Sequence, residues 1–193
     1  MFISPNYRFS DLNIPLSLDD KIKVFEDQIL GWHLNTADWI VKSRAKQATH
    51  SAFAVMQIIL SYFEMIAKYE KGYVGNRKSG YFFEVGIKLV FPQLETRPEK
   101  DAIKDLLKIL YKQGRCGLYH AGRARSDIIV SWGYPFPIQY DPIKKLLGIN
   151  PKKMVNSIRQ HFKGYIIKLK DASNCILRTK FEVKFDHESK GSA

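Results

Sequence analysis

The stretch QATHSAFAVMQIILSYFEMIAKYE, residues 47–70, restricts the fold of this chain more than any other part of its sequence. On a helix its apolar side chains cover almost the whole circumference, with Phe53 and Phe63 on one side and Val55 and Ile59 on the other. A helix that is apolar all round is surrounded by other elements, whereas a surface helix has one apolar face. We therefore predict a central, buried helix around which the other elements pack.

Apolar positions at helical spacing predict further helices before and after this one. An extended arm over residues 1–17 precedes a helix that begins at Leu18 and bends at Gly31, and Asn150 followed by Pro151 is a helix start signal. Gly114 loosens or ends the predicted helix at 99–113 that precedes it. The other segments predicted to be helical are 34–43, 81–91 and 99–113, and 175–185 is either a helix or a strand, of which we favour a helix.

β-branched and aromatic residues on both sides of a Gly-Tyr-Pro break predict a β-hairpin at about 127–140. Pro135 and Pro137 would confine its second strand to an edge. The sequence has no internal repeat and no low-complexity linker. We predict a mainly α fold, a single helical-bundle domain over residues 18–185 with this small β-hairpin insertion, between the extended arm and a flexible tail at 186–193.

The charge of the chain is strongly positive. It has 31 lysine and arginine residues against 19 acidic ones among 193 residues, a net charge of +12 at pH 7. Such an excess favours phosphate-rich partners because binding releases their counterions. Basic proteins that bind membrane surfaces and chains with merely solubilising charge share the feature, and we favour nucleic acid.

Disulfides, metal ions and cofactors are not predicted. Cys116 and Cys175 form no CxxC pair, and the five histidines lack the paired spacing of zinc ligands. The N-terminal residues have no charged start followed by an apolar core, and we find no apolar run of the ~20 residues that cross a bilayer. These features predict a soluble cytoplasmic protein in a reducing compartment, without a membrane partner.

A cationic segment with a single histidine, RCGLYHAGRARSD at 115–127, follows a predicted core helix. Four residues separate Arg115 from His120, and a similar gap separates Arg44 from His50, so the spacing alone does not decide between the pairs. The context favours Arg115 and His120, because the small residues after His120 would let another backbone approach. For His120 the alternative is a role at the end of the helix, where glycine is a favoured terminator.

A helix followed by arginine, four to six residues and histidine resembles the signature of the HEPN superfamily. These helical bundles include toxin, antiviral and CRISPR-associated ribonucleases. The likeness covers LYKQGRCGLYHAG closely and residues 47–122 loosely. It implies a homodimer in which Arg115 and His120 of two protomers form a composite, metal-independent catalytic site that cleaves single-stranded RNA.

The two residue types suit this chemistry. An imidazole can accept the proton of a ribose 2′-hydroxyl or donate one to the leaving oxygen, and a guanidinium can fork onto two phosphate oxygens. Five positions along an α-helix turn the chain by about 500°, so the two side chains would diverge by about 140°. A two-fold dimer brings two such segments together.

Other residues are expected to support the motif. Glu64 belongs to a polar stripe of the central helix that faces either solvent or a polar cleft, and Tyr119 either supports the site or packs in the core or an interface. Lys112, Arg123 and Arg125 are predicted RNA contacts. The polar stripe consists of His50, Gln57, Ser61, Glu64 and Lys68.

One position departs from the family pattern. The residue after the family's arginine is usually Asn, Asp or His, and here it is Cys116. A catalytically inactive RNA- or protein-binding module of the same fold is therefore an alternative function, and a helical accessory protein with no nucleic-acid role is another. An antitoxin or a defence-system protein is a further predicted partner.

Overall fold

The computed structural model describes residues 2–43, 51–124 and 126–190. The helices are α1 (Leu18–Gln28), α2 (Asn35–Lys42), α3 (Ala52–Lys71), α4 (Ser79–Val90), α5 (Lys100–Ile109), α6 (Cys116–Ala121), α7 (Pro151–Lys170) and α8 (Cys175–Lys190). π-Helical segments occur at Ile29–Leu34 and Leu110–Arg115, short 3-10 turns at Phe9–Asp11 and Pro92–Leu94, and strands at β1 (Ile128–Val130), β2 (Ile138–Asp141) and β3 (Leu146–Ile149). The predicted fold class, mainly α with a small β insertion after the motif, is confirmed.

Helix α3 is the central helix of the bundle, as its all-round apolarity predicts. Val55, Ile59, Phe63 and Ile66 have no exposed surface, and α4, α7, α8 and α2 pack around them. Within the described residues, α3 is also the one helix that is long and apolar enough by length and composition to cross a bilayer, although polar residues interrupt its apolar run. Half of it is buried inside the fold, which is typical of a core helix.

The N-terminal arm is held against α1 by side-chain hydrogen bonds. Ser4 Oγ donates to Asp27 Oδ2 at 2.6 Å, and Gln28 Nε2 donates to the Ile3 carbonyl at 2.8 Å. Pro5 packs so closely on Gly31 that an added Cβ would lie 2.4 Å from its ring. The chain does not break at Gly31, because a π-helical segment continues α1 into α2.

The small β insertion has a strand pairing that differs from the predicted hairpin at 127–140. β1 and β2 do not pair with each other, because β3 lies between them, parallel to β1 and antiparallel to β2. The hairpin is formed by β2 and β3. The physical reason is burial: Leu147 and Ile149 of β3 are fully buried, so this strand takes the middle of the sheet, while β2 is an edge strand as the prolines before it predict.

Helix α7 starts with the predicted cap and is joined there to the sheet. Asn150 Oδ1 accepts from the Lys153 N–H at 3.1 Å, and Asn150 Nδ2 donates to the carbonyls of Trp132 and Tyr134, both at 2.8 Å. Helix α8 extends to Lys190, beyond the predicted end at 185.

Residues 186–190, predicted to begin a flexible tail, are the last residues of α8. Lys21 of α1 donates to Glu182 at 2.7 Å and to Asp186 at 2.9 Å, and Lys184 pairs with Glu188. The two Lys21 pairs join α8 to α1, and the Lys184–Glu188 pair within α8 supports its helical conformation.

A partly buried histidine joins α3 to α7. Tyr62 Oη lies 2.8 Å from His161 Nδ1. Burial, with a smaller contribution from the charge of Lys168, lowers the pKa of His161 from 6.5 to about 4. His161 is therefore neutral in the folded protein at neutral pH, and protonating it would place a charge between packed helices.

Acid is expected to destabilise the protein through His161. Between pH 6.5 and 4 the unfolded chain binds a proton that the folded chain does not, so the free energy of unfolding falls as the pH falls through this window. The loss between pH 7 and pH 5 should be about 2 kcal/mol from this group. Urea unfolding at both pH values measures it, with His161→Gln as the variant that lacks the titration. An equal loss in both proteins would assign the acid sensitivity to other groups.

Candidate functional site

The motif segment lies on an irregular helical extension of α5. Of the two alternatives for Gly114, the helix loosens rather than ends there: the π-helical segment carries the chain through Arg115 into α6, which ends at Gly122 in the left-handed conformation with φ 67°. Gly114 is buried, and a Cβ there would lie 3.2 Å from Ile128 and 3.3 Å from Leu110. The glycine thus permits close packing, and the actual terminator is Gly122.

Arg115 is tied to the central helix by Glu64. Its Nη2 atom lies 3.3 Å from Glu64 Oε2, which also accepts a hydrogen bond from Ser79 Oγ at 2.5 Å, while Lys68 Nζ donates to Glu64 Oε1 at 2.7 Å. The Glu64 side chain is 15% exposed. Of the two alternatives for the polar stripe, this part faces a polar cluster rather than solvent. We call Glu64, Lys68, Ser79 and Arg115 the arginine cluster.

The electrostatics of this cluster keep Glu64 ionised. Burial alone would raise the pKa of its carboxyl, but the hydrogen bonds from Lys68 and Ser79 and the charges of Lys68 and Arg115 outweigh that effect and lower the pKa below its ordinary value. One carboxylate therefore faces two cations. The cluster retains a net positive charge beside the motif.

The ring of Tyr119 lies next to both motif side chains. The Arg115 guanidinium carbon is 5.2 Å from the ring centroid, and the His120 ring is 5.1 Å away and nearly perpendicular. Tyr119 is 75% exposed, which excludes packing in the core of this chain. The exposed Tyr119 ring thus lies beside both the Arg115 guanidinium and the His120 imidazole, which an ideal helix would place far apart.

The side chain of His120 is exposed and makes no hydrogen bond with any residue in 2–43, 51–124 or 126–190. Its side chain therefore caps no carbonyl at the end of α6, although the glycine that follows does end the helix. The imidazole is open to a substrate or to a second protomer.

A contact that the sequence did not reveal holds α6 against α3. Gln57 Nε2 donates to the Leu118 carbonyl at 3.0 Å, one helical turn from the end of α6. Gln57 was recognised as a member of the polar stripe, but its partner is a backbone atom 61 positions away. No sequence pattern indicates such a pairing.

The structure describes two of the three predicted RNA contacts. Lys112 and Arg123 are exposed, and neither has an ion-pair partner in the part of the chain that the structure describes. Arg125, and the second Arg-His pair formed by Arg44 and His50, lie outside the described residues.

The described residues contain no group of three or more His, Cys, Asp or Glu side chains that could hold a metal ion. Cys116 and Cys175 are both free thiols. Comparisons with protein-family models, with curated proteins and with solved structures gave no match. The functional interpretation therefore depends on the motif and on the geometry around it.

Removing the charge of Glu64 should loosen Arg115. In Glu64→Gln the amide no longer balances two cations, and we expect unfolding free energy to fall by about 1–2 kcal/mol. If the chain cleaves RNA, as the resemblance implies, and Arg115 binds the phosphate mainly in the transition state, kcat should fall about tenfold with little change in KM.

The matched control is Glu95→Gln. Glu95 is 60% exposed on its side chain and lies 3.9 Å from Lys88, so its neutralisation should change stability by less than about 0.5 kcal/mol. Steady-state kinetics and urea unfolding of both variants test the expectation. A Glu64→Gln enzyme that is less stable but keeps the wild-type kcat would show that Glu64 has a structural role only.

Proposed function

We propose that this chain is a metal-independent endoribonuclease of the HEPN type, acting on single-stranded RNA as a homodimer in the cytoplasm. Arg115 and His120 are its catalytic residues, with Glu64 and Tyr119 in support. The observation that carries the proposal is the pairing of an anchored guanidinium with an exposed imidazole beside one exposed aromatic ring, in a protein of net charge +12.

Arg115 has the properties of a phosphate clamp. Its side chain is 28% exposed, and one 3.3 Å contact with Glu64 engages a single nitrogen of a group that has five N–H donors. The remaining donors can bind two oxygens of a phosphate, and Lys68 offsets the Glu64 charge that would repel it. The anchor also lowers the entropy lost when the guanidinium binds.

His120 would act as the general base. As the ribose 2′-oxygen forms its bond to phosphorus, its proton passes to the imidazole, and the bond from phosphorus to the 5′-oxygen breaks. An acid then protonates the leaving 5′-oxygen, a role that the histidine of a second protomer can fill. The products are a 2′,3′-cyclic phosphate and a 5′-hydroxyl. Tyr119 offers a ring on which a neighbouring base can stack.

The dimer is proposed to form over the surface that carries the motif. Tyr119 is 75% exposed and Phe53 of α3 is 40% exposed, both on elements that the Gln57–Leu118 hydrogen bond joins. Ala121 and Gly122 are exposed and small, so a second backbone can come close. A toxin or phage-defence role, with an antitoxin or a defence protein as partner, is proposed from the resemblance alone.

A second candidate function is a binding module of the same fold that has lost catalysis. It is favoured by Cys116, which stands where the family usually has a polar residue, and by the ion pair that already engages Arg115. In that case Arg123→Glu should abolish a salt-sensitive RNA interaction, while His120→Ala leaves it unchanged. A protein with no RNA role would give flat titrations at low salt.

Incubation of labelled single-stranded RNA with the protein in excess EDTA tests the first function. The expected products carry 2′,3′-cyclic phosphate ends, and analytical ultracentrifugation should show a dimer. Cleavage that requires added metal ions, or a protein that stays monomeric at the concentrations that cleave RNA, would contradict the proposal.

A further inference from the structure

Strand β2 has a free backbone edge. The Pro137 carbonyl accepts from the Asn150 N–H at 3.1 Å, and in an antiparallel ladder bonded pairs alternate with non-bonded ones. Gln139 therefore points its N–H and C=O towards β3, whereas Ile138 and Tyr140 point theirs to the opposite side. Neither has a backbone hydrogen-bond partner there among the described residues.

The opposite edge of β3 supports this assignment. The Leu147 N–H donates to Asp127 and the Ile149 carbonyl accepts from Ser131, so both residues direct these groups to the β1 side. They pair with Tyr140 and Ile138 in the register of the sheet. In each non-bonded pair, the backbone N–H and C=O groups of both residues therefore point away from the facing strand, as the alternation requires.

A cleft of about 270 Å³ runs beside this free edge. Phe91, Leu94 and Leu106 supply apolar surface on the helical side, Phe136 and Tyr140 supply it on the strand side, and Arg97 lines the cleft with them. We call this space the edge cleft. Arg97 has no ion-pair partner within residues 2–43, 51–124 and 126–190.

The edge carries protective features at its two ends. Proteins blunt such edges with charged side chains, prolines or bulges, because an unpaired row of donors and acceptors can pair with another strand. Pro137 precedes β2 and Asp141 ends it, whereas Ile138, Gln139 and Tyr140 between them include neither a charge nor a proline. The edge cleft therefore combines backbone donors and acceptors at strand spacing, an apolar lining and one cation.

We propose that the edge cleft binds an extended peptide segment of a partner protein by β-strand addition. The peptide pairs with the outward groups of Ile138 and Tyr140, inserts an apolar side chain into the cleft and places a carboxylate on Arg97. RNA fits this surface less well, because a phosphate backbone needs several cations. The adjoining depression, which shares Arg97, is lined by the acidic Glu99.

Selection from a phage-displayed library of random nonapeptides tests the proposal on the full chain. Enriched peptides should alternate apolar and polar residues and contain an acidic one. Arg97→Glu should weaken their binding at least about tenfold, whereas Arg77→Glu, at another exposed arginine, should change it less than about twofold. N-methylation of alternate peptide nitrogens should abolish binding in one register and spare it in the other.

Three results would overturn the proposal: no enrichment above the bare support, equal binding by wild type and Arg97→Glu, or N-methylation that has no effect in either register. Displacement of the peptide by oligouridine in an Arg97-dependent manner would assign the cleft to RNA and would overturn it too. The proposal uses neither Arg115 nor His120, so its outcome is independent of the ribonuclease test.

Discussion

His120→Ala should lower the rate of RNA cleavage by about 10²–10⁴-fold, the usual contribution of a positioned general acid or base. The side chain of His120 is exposed and makes no hydrogen bond within the described residues, so its truncation should leave the fold intact. Single-turnover cleavage of an end-labelled RNA in EDTA measures the rate, and circular dichroism with urea unfolding measures the stability. The two readouts separate loss of chemistry from loss of structure.

His187→Ala is the matched control for this substitution. His187 lies on α8 with its side chain 46% exposed, and it shares no described contact with the motif. The control should cleave RNA at the wild-type rate. If both variants are as active as the wild type, or if the wild type itself is inert, His120 is not a catalytic residue of a ribonuclease and the binding-module function takes precedence.

Gly86→Ala should strongly destabilise the protein. A Cβ at this position of α4 would lie 1.8 Å from the Phe63 carbonyl oxygen and 2.5 Å from its carbon. The obstacle is the backbone of the central helix, which cannot rotate away as a side chain can. We expect a loss of about 3 kcal/mol or more in the free energy of unfolding, since α3 and α4 must separate to make room.

Gly164→Ala provides the contrast in another helix. Nothing lies within 4 Å of the Cβ that would be added there, so the substitution should raise the free energy of unfolding by about 0.5–1 kcal/mol, the ordinary gain of alanine over glycine in a helix. Urea midpoints of the two variants should therefore move in opposite directions. A Gly86→Ala protein as stable as the wild type would show that the two helices do not approach closely.

The arginine cluster shows where sequence reasoning stops. The stripe containing Glu64 was recognised by its helical spacing, and Arg115 by its distance from His120. Their contact joins positions 51 apart, and the sequence left open whether Glu64 faces solvent or a polar cleft. Helical periodicity reports on which side of its own helix a residue lies, but not on what the neighbouring helix presents to it.

The sheet shows the same limit in strands. β-Branched and aromatic residues indicated that the chain leaves the helical pattern after the motif, and Pro135 and Pro137 correctly predicted an edge strand. The pairing was wrong because β3 inserts between β1 and β2. Strand order depends on which strand buries the most apolar surface in the assembled protein, and local patterns do not contain that quantity.

By itself the sequence determined the mainly α fold, the central position of α3, the cap at Asn150 and the strongly basic character, because each follows from local periodicity, local hydrogen bonding or composition. Only the tertiary structure decided that Glu64 anchors Arg115, that Tyr119 lies beside both motif side chains, and that β2 keeps a free edge next to Arg97. These arrangements result from packing between segments far apart in the chain. Their energies depend on distance and burial in three dimensions, which no linear spacing specifies.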